Sequence, residues 1–190
     1  GTTILKGDSS AFTGTTNISG GTLQVDGKLG GSVKLSGGYL AGKGSINSLT
    51  ATGGIIAPGG VGIIDTLKVQ GDATLDSGST LAIDAADDIV DKLEVGGKLT
   101  INNATMSVTP IIAFVPGSYT VATAEGGISG KFGSVVLDGT GYKLALDYSD
   151  PNKITLSAKV QSDNDDDDDD GGDDNVGGGG GGNSGQLVPA

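Results

Sequence analysis

The chain has 190 residues and contains no cysteine and no histidine, which excludes disulfides, thiol and imidazole catalysis, and the common zinc sites. Its net charge of −12 is uneven, since residues 1–160 hold eleven lysines and fourteen acidic residues, whereas residues 161–190 hold nine aspartates and no base. Because there is no arginine and the lysines are dispersed, neither nucleic acid nor an anionic membrane is expected as a partner.

The side chains available for a core are small. With three Phe, four Tyr and no Trp, the interior must be filled by Leu, Ile, Val and Ala, which suits stacked strands. The 37 glycines have no triplet period and are accompanied by only five prolines, which excludes a collagen helix. We interpret them as turn residues.

One short strand-and-turn unit recurs along the first half of the chain. In the stretch TLKVQG, Leu67 and Val69 point to one face of a strand and Gly71 ends it. The same order of two alternate apolar residues followed by glycine is found at Leu23–Gly27, Val33–Gly37, Leu49–Gly53, Leu67–Gly71 and Leu93–Gly97. The sequence is therefore a repeat of short β-strands.

The spacing of these units favours one repeat architecture. The interval from one unit to the next is irregular and lengthens steadily from Leu23 to Leu93. A propeller keeps a stricter period, whereas a parallel β-helix tolerates turns of different length outside its core. Residues 1–109 are therefore predicted to form parallel β-helix coils. An antiparallel sandwich or barrel is the alternative, and it is less favoured because clear two-residue hairpin turns and aromatic anchors are missing.

Residues 110–160 have a different composition. They contain five of the seven aromatic residues, and a solenoid needs a cap where its apolar interior ends. The region is predicted to be a β-rich C-terminal cap. Its hairpin-like strands are predicted at Tyr119–Ala122, Ser134–Leu137, Tyr142–Tyr148 and Lys153–Ala158, with a turn at SDPN.

Residues 161–190 are rich in Asp and Gly and contain no aromatic residue, so they are predicted to be a disordered linker. Within them Asp166, Asp168 and Asp170, followed by Gly171, match the start of a calcium loop. The twelfth position is Gly177, where an EF-hand has a bidentate Glu. These aspartates are a weak calcium candidate, and no metal site or cofactor is otherwise expected.

Two further patterns have a structural and a chemical interpretation. The segment IDAADDIVD supplies Asp84, Asp87, Asp88 and Asp91, and paired carboxylates are what a glycosidase needs. No Arg or Trp is present to bind a sugar, so a solvated loop between coils is predicted instead and no enzyme is expected. The run Gly42–Ser45 is the nearest approach to a phosphate loop, but it lacks the full motif and is predicted to be a turn.

The order of several motifs resembles the C-terminal part of autotransporter passenger domains from Gram-negative bacteria. The resemblance covers about residues 20–132 and consists of an APG segment, an L-x-V-x-G strand, a GS-x-L strand, a D-x-L-x-V-x-G strand, and a Tyr-Thr strand leading to a Gly-Gly turn. These motifs lie at Ala57, Pro58 and Gly59; Leu67, Val69 and Gly71; Gly78, Ser79 and Leu81; Asp91, Leu93, Val95 and Gly97; and Tyr119, Thr120, Gly126 and Gly127.

The resemblance implies a right-handed parallel β-helix stalk whose C-terminal, autochaperone-like part assists folding at the cell surface. It implies a cell-surface or secreted location in a Gram-negative bacterium, and the membrane β-barrel translocator of the parent chain as partner. The start GTTILKGDSS lacks the basic and apolar parts of a signal peptide, so we expect an excised or processed fragment. An adhesin-type module that binds host-surface, matrix or neighbouring-cell ligands is the alternative function.

Overall fold

The computed structural model describes residues 1–161, and these residues form twenty β-strands and no helix. The all-β prediction is thus confirmed for this part of the chain, which has no helix able to cross a membrane. The strands are β1 (Thr2–Leu5), β2 (Asp8–Ser9), β3 (Thr15–Ile18), β4 (Thr22–Val25), β5 (Lys28–Leu35), β6 (Tyr39–Gly42), β7 (Ser45–Ala51), β8 (Ile55–Pro58), β9 (Thr66–Val69), β10 (Ala73–Leu75), β11 (Thr80–Asp87), β12 (Ile89–Val90), β13 (Lys92–Val95), β14 (Leu99–Asn102), β15 (Thr105–Phe114), β16 (Gly117–Ala124), β17 (Ile128–Lys131), β18 (Ser134–Leu137), β19 (Tyr142–Asp147) and β20 (Lys153–Val160).

The strands form two sheets in which most neighbours are parallel and not consecutive along the chain. The first sheet has the order β1-β4-β6-β8-β11-β15-β18, with β12 beside β11. The second has the order β17-β14-β10-β7-β9-β13-β16-β20-β19, and β5 joins it through β7. In the first sheet the chain therefore returns one strand further along each time, and in the second it extends two rows of parallel strands that begin at β7, β9-β13-β16 and β10-β14-β17. This arrangement fits the predicted parallel β-helix. The antiparallel sandwich or barrel does not fit this pairing.

The registers explain why the alternating apolar residues of the sequence form a core. In the first sheet Leu40 lies beside Ile56, and Leu81 lies beside Met106. All four side chains are fully buried. Because parallel pairing in register keeps side chains of one face together, each apolar residue stacks on the apolar residue of the next strand. The core is consequently a set of continuous columns of aliphatic side chains.

The paired glycines meet two different requirements. In Gly53–Gly54, the second glycine has a φ of 74°, a left-handed conformation that residues with a Cβ rarely adopt. The first is confined by packing, because a Cβ on Gly53 would lie 2.5 Å from the carbonyl oxygen of Ser36. The prediction of turn glycines is confirmed here, but positive φ accounts for only one member of the pair.

The alternation can be tested at neighbouring residues of β9. Leu67 is fully buried, whereas the next side chain, Lys68, is exposed. Leu67→Ala is expected to lower the free energy of unfolding by about 2–5 kcal/mol, because it removes a core leucine and leaves a cavity. Lys68→Ala, the matched control, is expected to change it by less than about 0.5 kcal/mol. Urea unfolding followed by circular dichroism measures both, and equal effects would contradict the assignment of faces.

The C-terminal region changes from parallel to antiparallel pairing. Strand β16 lies parallel to β13 on one side and antiparallel to β20 on the other, and β19 and β20 form a hairpin. All four predicted strands are present, at Gly117–Ala124, Ser134–Leu137, Tyr142–Asp147 and Lys153–Val160. The prediction that Ser134–Leu137 is hairpin-like is wrong, because this strand, β18, lies parallel to β15.

The first predicted domain limit falls within a strand, and the second lies at the end of the described residues. The limit between residues 109 and 110 falls inside β15, which runs from Thr105 to Phe114. The separation of coils from cap stays a prediction. The predicted linker at 161–190, with its calcium candidates Asp166, Asp168 and Asp170, lies outside the described residues apart from Gln161.

Candidate functional site

Strand β19 places an alternating apolar face against the end of the core. Its side chains alternate between half-buried and exposed, as expected for a strand with one solvated face. The half-buried residues that pack against the core are Tyr142, Leu144 and Leu146, followed by Tyr148 just after the strand. We name Phe114, Tyr119, Phe132, Tyr142 and Tyr148 the C-terminal aromatic cluster. It is the candidate site for a role in folding.

Tyr142 joins the start of β19 to the end of β15. Its ring stacks on that of Phe114, with centroids 4.3 Å apart and planes 29° apart. Its hydroxyl accepts a hydrogen bond from the Phe114 backbone N–H at 3.2 Å and donates one to the Phe114 carbonyl at 3.0 Å. Tyr119 meets Phe114 edge-on at 6.0 Å. Tyr142 therefore buries its ring and also forms hydrogen bonds with the backbone N–H and carbonyl of Phe114, at the end of β15.

Tyr148 makes the equivalent connection at the other end of β19. Its hydroxyl accepts a hydrogen bond from the Phe132 backbone N–H at 3.0 Å, and the Lys131 ammonium lies 5.3 Å from its ring centroid. Burial raises the pKa of Tyr148, and the bond from Phe132 opposes that shift. Both ends of β19 are thus fixed to the strands and turns that precede it.

The turn between β19 and β20 binds the end of β16. The Asn152 side-chain amide donates hydrogen bonds to the carbonyls of Ala124 at 2.8 Å and Glu125 at 3.2 Å. The Asn152 backbone N–H donates to the carboxylate of Asp150 at 2.8 Å. Sequence reasoning found this turn from SDPN but missed the role of Asn152, since the two carbonyls that it binds belong to a distant part of the sequence.

A second cluster, the acidic corner, consists of Asp65, Asp84 and Asp91. The Asp91 side chain is 1% exposed, and its two carboxylate oxygens accept hydrogen bonds from the backbone N–H groups of Asp65 and Asp84, both at 2.8 Å. Asp84 in turn accepts a hydrogen bond from the Gly62 N–H at 2.8 Å. The acidic corner thereby holds the β8–β9 loop against the β11–β12 hairpin.

The prediction of a solvated loop at IDAADDIVD is wrong for half of its aspartates. The segment forms an antiparallel hairpin of β11 and β12, in which Asp84 and Asp91 are buried. Asp87 and Asp88 lie at its exposed turn, where Asp87 has a φ of 52°. The hairpin reverses the local chain direction and returns Asp91 to the backbone of Asp84.

Burial is the main cause of the raised pKa values of Asp84 and Asp91 in the acidic corner. It raises the pKa of Asp91 to about 8, although the N–H groups of Asp84 and Asp65 act in the opposite direction. Burial also raises the pKa of Asp84, and its hydrogen bond from Gly62 opposes this shift. Within residues 1–161 no group of three or more acidic side chains is arranged to hold a metal ion. The carboxylates of this corner hold backbone N–H groups in place.

The chain is 30% identical over 162 residues to an extracellular serine protease of Serratia marcescens. The alignment covers 78% of this chain but only 15% of the length of that protein. No protein-family profile matches the chain.

Proposed function

We propose that this chain belongs to the surface-exposed passenger of a Gram-negative autotransporter. In this proposal residues 1–109 are coils of a right-handed parallel β-helix stalk, and residues 110–160 are an autochaperone-like cap that assists folding and secretion. The observation that carries the proposal is the change at β16, where a parallel stack ends in an antiparallel hairpin whose Tyr142 and Tyr148 join the C-terminal aromatic cluster.

The fold supports the stalk because the strands of the first sheet from β1 to β18, apart from the β11–β12 hairpin, pair with a strand one circuit further along the chain. Leu40 pairs with Ile56 and Leu81 with Met106, so each partner comes from a later circuit rather than from a hairpin. A stack of this kind grows by adding units to one end, so it suits an extended spacer. The passenger motifs at Ala57–Gly59 and Leu67–Gly71 lie in this stack, in or next to β8 and β9.

The location is supported by the extracellular protein of Serratia marcescens that resembles most of this chain. That protein is named a serine protease, but the chain spans only 15% of its length. A Ser-His-Asp triad cannot be assembled from the residues of this chain, because it contains no histidine. The proposal therefore assigns a non-enzymatic role to it, with the membrane β-barrel translocator of the parent protein as its partner.

A surface-display experiment tests the proposal. The full chain is joined upstream of an autotransporter translocator and produced in a Gram-negative host, and intact cells are treated with protease. We expect a protease-resistant product at the surface. Tyr142→Ala is expected to lower its amount several-fold, because the variant loses the stack on Phe114 and two hydrogen bonds.

Lys143→Ala is the matched control, since Lys143 is the adjacent exposed residue of β19. It should leave display unchanged. Retention of the unaltered chain in the periplasm would contradict the surface role. Equal display of Tyr142→Ala and Lys143→Ala would contradict the folding role of the cap.

The second candidate function is adhesin-type binding to host-surface, matrix or neighbouring-cell ligands. A polar groove on the flank of the strand stack favours it. Binding of the isolated chain to cells or matrix would distinguish this function from a stalk, because the stalk and folding roles need no ligand.

A further inference from the structure

A groove of about 510 Å³ runs along the flank of the second sheet near the N-terminal coils. The loop between β2 and β3 forms one wall and carries Phe12, and the neighbouring strands β5 and β7 form the floor. Its volume lies within the range of small-ligand sites. None of the motifs singled out from the sequence predicts it.

The floor of the groove is shaped by a bulge in β5. The register with β7 shifts between Leu29 and Ser32, where Gly30 and Gly31 lie opposite the single residue Asn47. A Cβ on Gly30 would lie 2.3 Å from the carbonyl oxygen of Phe12, and one on Gly31 would lie 2.1 Å from that of Gly14. The loop therefore rests directly on the backbone of the bulge, and the groove exists without a ligand.

The lining combines one aromatic ring with neutral polar side chains. Phe12 is 42% exposed. Asn47 and Gln70 are exposed. Asn47 lies within β7 and Gln70 directly follows β9, and the two are neighbours because the residues just before them, Ile46 and Val69, are paired in register. Ser32 and Ser45 add hydroxyls. Amides and hydroxyls both donate and accept hydrogen bonds, so the lining matches a ligand with many hydroxyl groups.

The charge of the groove argues against an ionic ligand. Lys28 is the one charged residue in the lining. Asp8 of the adjacent strand β2 is paired with Lys28 in register, and the Lys28 charge helps to lower the pKa of the Asp8 carboxyl. The hydrogen bonds that Asp8 accepts from Ser10 lower this pKa more. The net field on a ligand is therefore small. An extended peptide is also disfavoured, because β5 is paired with β2 and β3 on one side and with β7 on the other, which leaves no free edge for strand addition.

We propose that this groove binds a neutral oligosaccharide. The chain has no Trp or Arg to bind a sugar, so this role falls to the ring of Phe12, which offers an apolar face to the C–H face of a pyranose. The amides and serine hydroxyls offer hydrogen bonds to the hydroxyl groups of the sugar. Strand neighbours are about 4.8 Å apart, so Asn47 and Gln70 repeat the same donor and acceptor groups along the groove. An extended glycan chain meets such a row with successive residues. This inference deepens the binding candidate above and does not depend on secretion by an autotransporter route.

Titration of the full chain with uncharged hexasaccharides tests the proposal. The probes are cellohexaose, maltohexaose and chitohexaose, each to about 10 mM, which detects even dissociation constants near 1 mM. We expect at least one to bind and to shift the amide NMR signals of Ser32, Asn47 and Gln70. Phe12→Ala is expected to weaken binding about tenfold, whereas Phe12→Tyr keeps the ring and should bind within about twofold of the unaltered chain.

Thr74→Ala is the control, since Thr74 lies in β10 outside the groove lining. It should bind as the unaltered chain does. Phe12→Tyr also shows whether the loop tolerates substitution, and unchanged NMR signals outside residues 8–16 show that Phe12→Ala is folded. Failure of all three probes to bind would overturn the proposal. Binding that Phe12→Ala leaves unchanged, or that is restricted to a sulfated glycan such as heparin, would overturn it as well.

Discussion

Removal of residues 110–190 is expected to abolish cooperative unfolding, whereas a chain lacking residues 1–60 is expected to stay folded and protease-resistant. The reason is where the buried aromatic rings and the antiparallel hairpin lie. Beyond residue 109 the core contains both Phe114 and Phe132, together with the hairpin residues Ile154 and Leu156. In a linear array, stability is a sum of the stability of each unit and of its interfaces, so the best-packed end supports the rest.

The two cuts differ in what they expose. A cut at residue 109 divides β15 and removes β16, which leaves Leu93 and Val95 of β13 without their partners Ala122 and Ala124. A cut after residue 60 falls in the β8–β9 loop and keeps the acidic corner, the β19–β20 hairpin and every contact of the C-terminal aromatic cluster. Both cuts expose one end of the core, but only the cut at residue 109 also removes the β19–β20 hairpin that packs against that end.

Urea unfolding and limited proteolysis measure the outcome. The chain lacking residues 1–60 should give a single sigmoidal transition and a stable proteolytic core. The chain lacking residues 110–190 should give a broad, non-cooperative change. If the second fragment unfolds as cooperatively as the first, the folding role of the C-terminal end is wrong and only the stalk remains.

The free energy of unfolding is expected to decrease as the pH rises from about 4 to about 8, and Asp91→Asn is expected to remove most of this decrease. Below pH 4 the Asp91 carboxyl is protonated in both the folded and the unfolded chain. Between pH 4 and 8 the folded chain keeps a proton that the unfolded chain releases, because the folded pKa is about 8 and the ordinary value is 3.8. Since the folded state binds more protons in this range, its free energy of unfolding decreases with pH and levels off above pH 8.

The expected size is roughly 3–6 kcal/mol, because each unit of pKa difference corresponds to about 1.4 kcal/mol. Urea unfolding of the unaltered chain and of Asp91→Asn, each at pH 5 and pH 8.5, measures this contribution as the difference between their pH dependences. The comparison is needed because burial also raises the pKa of Asp84, so that Asp84 contributes a pH dependence of the same sign. Asp91→Asn also loses one backbone hydrogen bond at every pH, which shifts both measurements equally.

Asp88→Asn is the matched control, since Asp88 lies at the exposed turn of the same hairpin. It should keep the full pH dependence of the unaltered chain. A pH dependence that is the same in Asp91→Asn and Asp88→Asn would show that Asp91 is ionised in the folded protein at neutral pH, held so by its two backbone donors.

The sequence predicted the parts of the fold that depend on local alternation. Leu67 and Val69 are buried and Lys68 is exposed because side chains of a strand alternate, and a register kept from strand to strand extends that local rule to the whole core. The four C-terminal strands were predicted for the same reason. The hairpin of β19 and β20 was also predicted, from the SDPN turn between them. The partner of β18 was not, because β18 pairs with β15 across two intervening strands, and no local pattern encodes such a distant contact.

The features missed by sequence reasoning are formed by residues from separate circuits of the chain. Asp91 was interpreted as a turn residue, since the N–H of Asp65 that it binds belongs to an earlier circuit. The groove beside Phe12 likewise combines residues of the β2–β3 loop, of β5 and of β7 with Gln70, which follows β9. Its signal in the sequence was Gly30–Gly31, which resembles every other glycine pair until the register shift in β5 is known.

The parallel stacking of the first sheet also determines how the chain responds to tension. Its backbone hydrogen bonds point from one strand to the next, along the order from β1 to β18. A pull that draws β1 away from β4 loads the bonds of that pair along their own direction, and the remaining pairs bear little of the strain. The strands therefore separate one after another, beginning with β1. Each separation releases only the short length of chain between paired positions, such as Leu40 and Ile56 or Ile56 and Leu81, so the molecule lengthens in small steps under load.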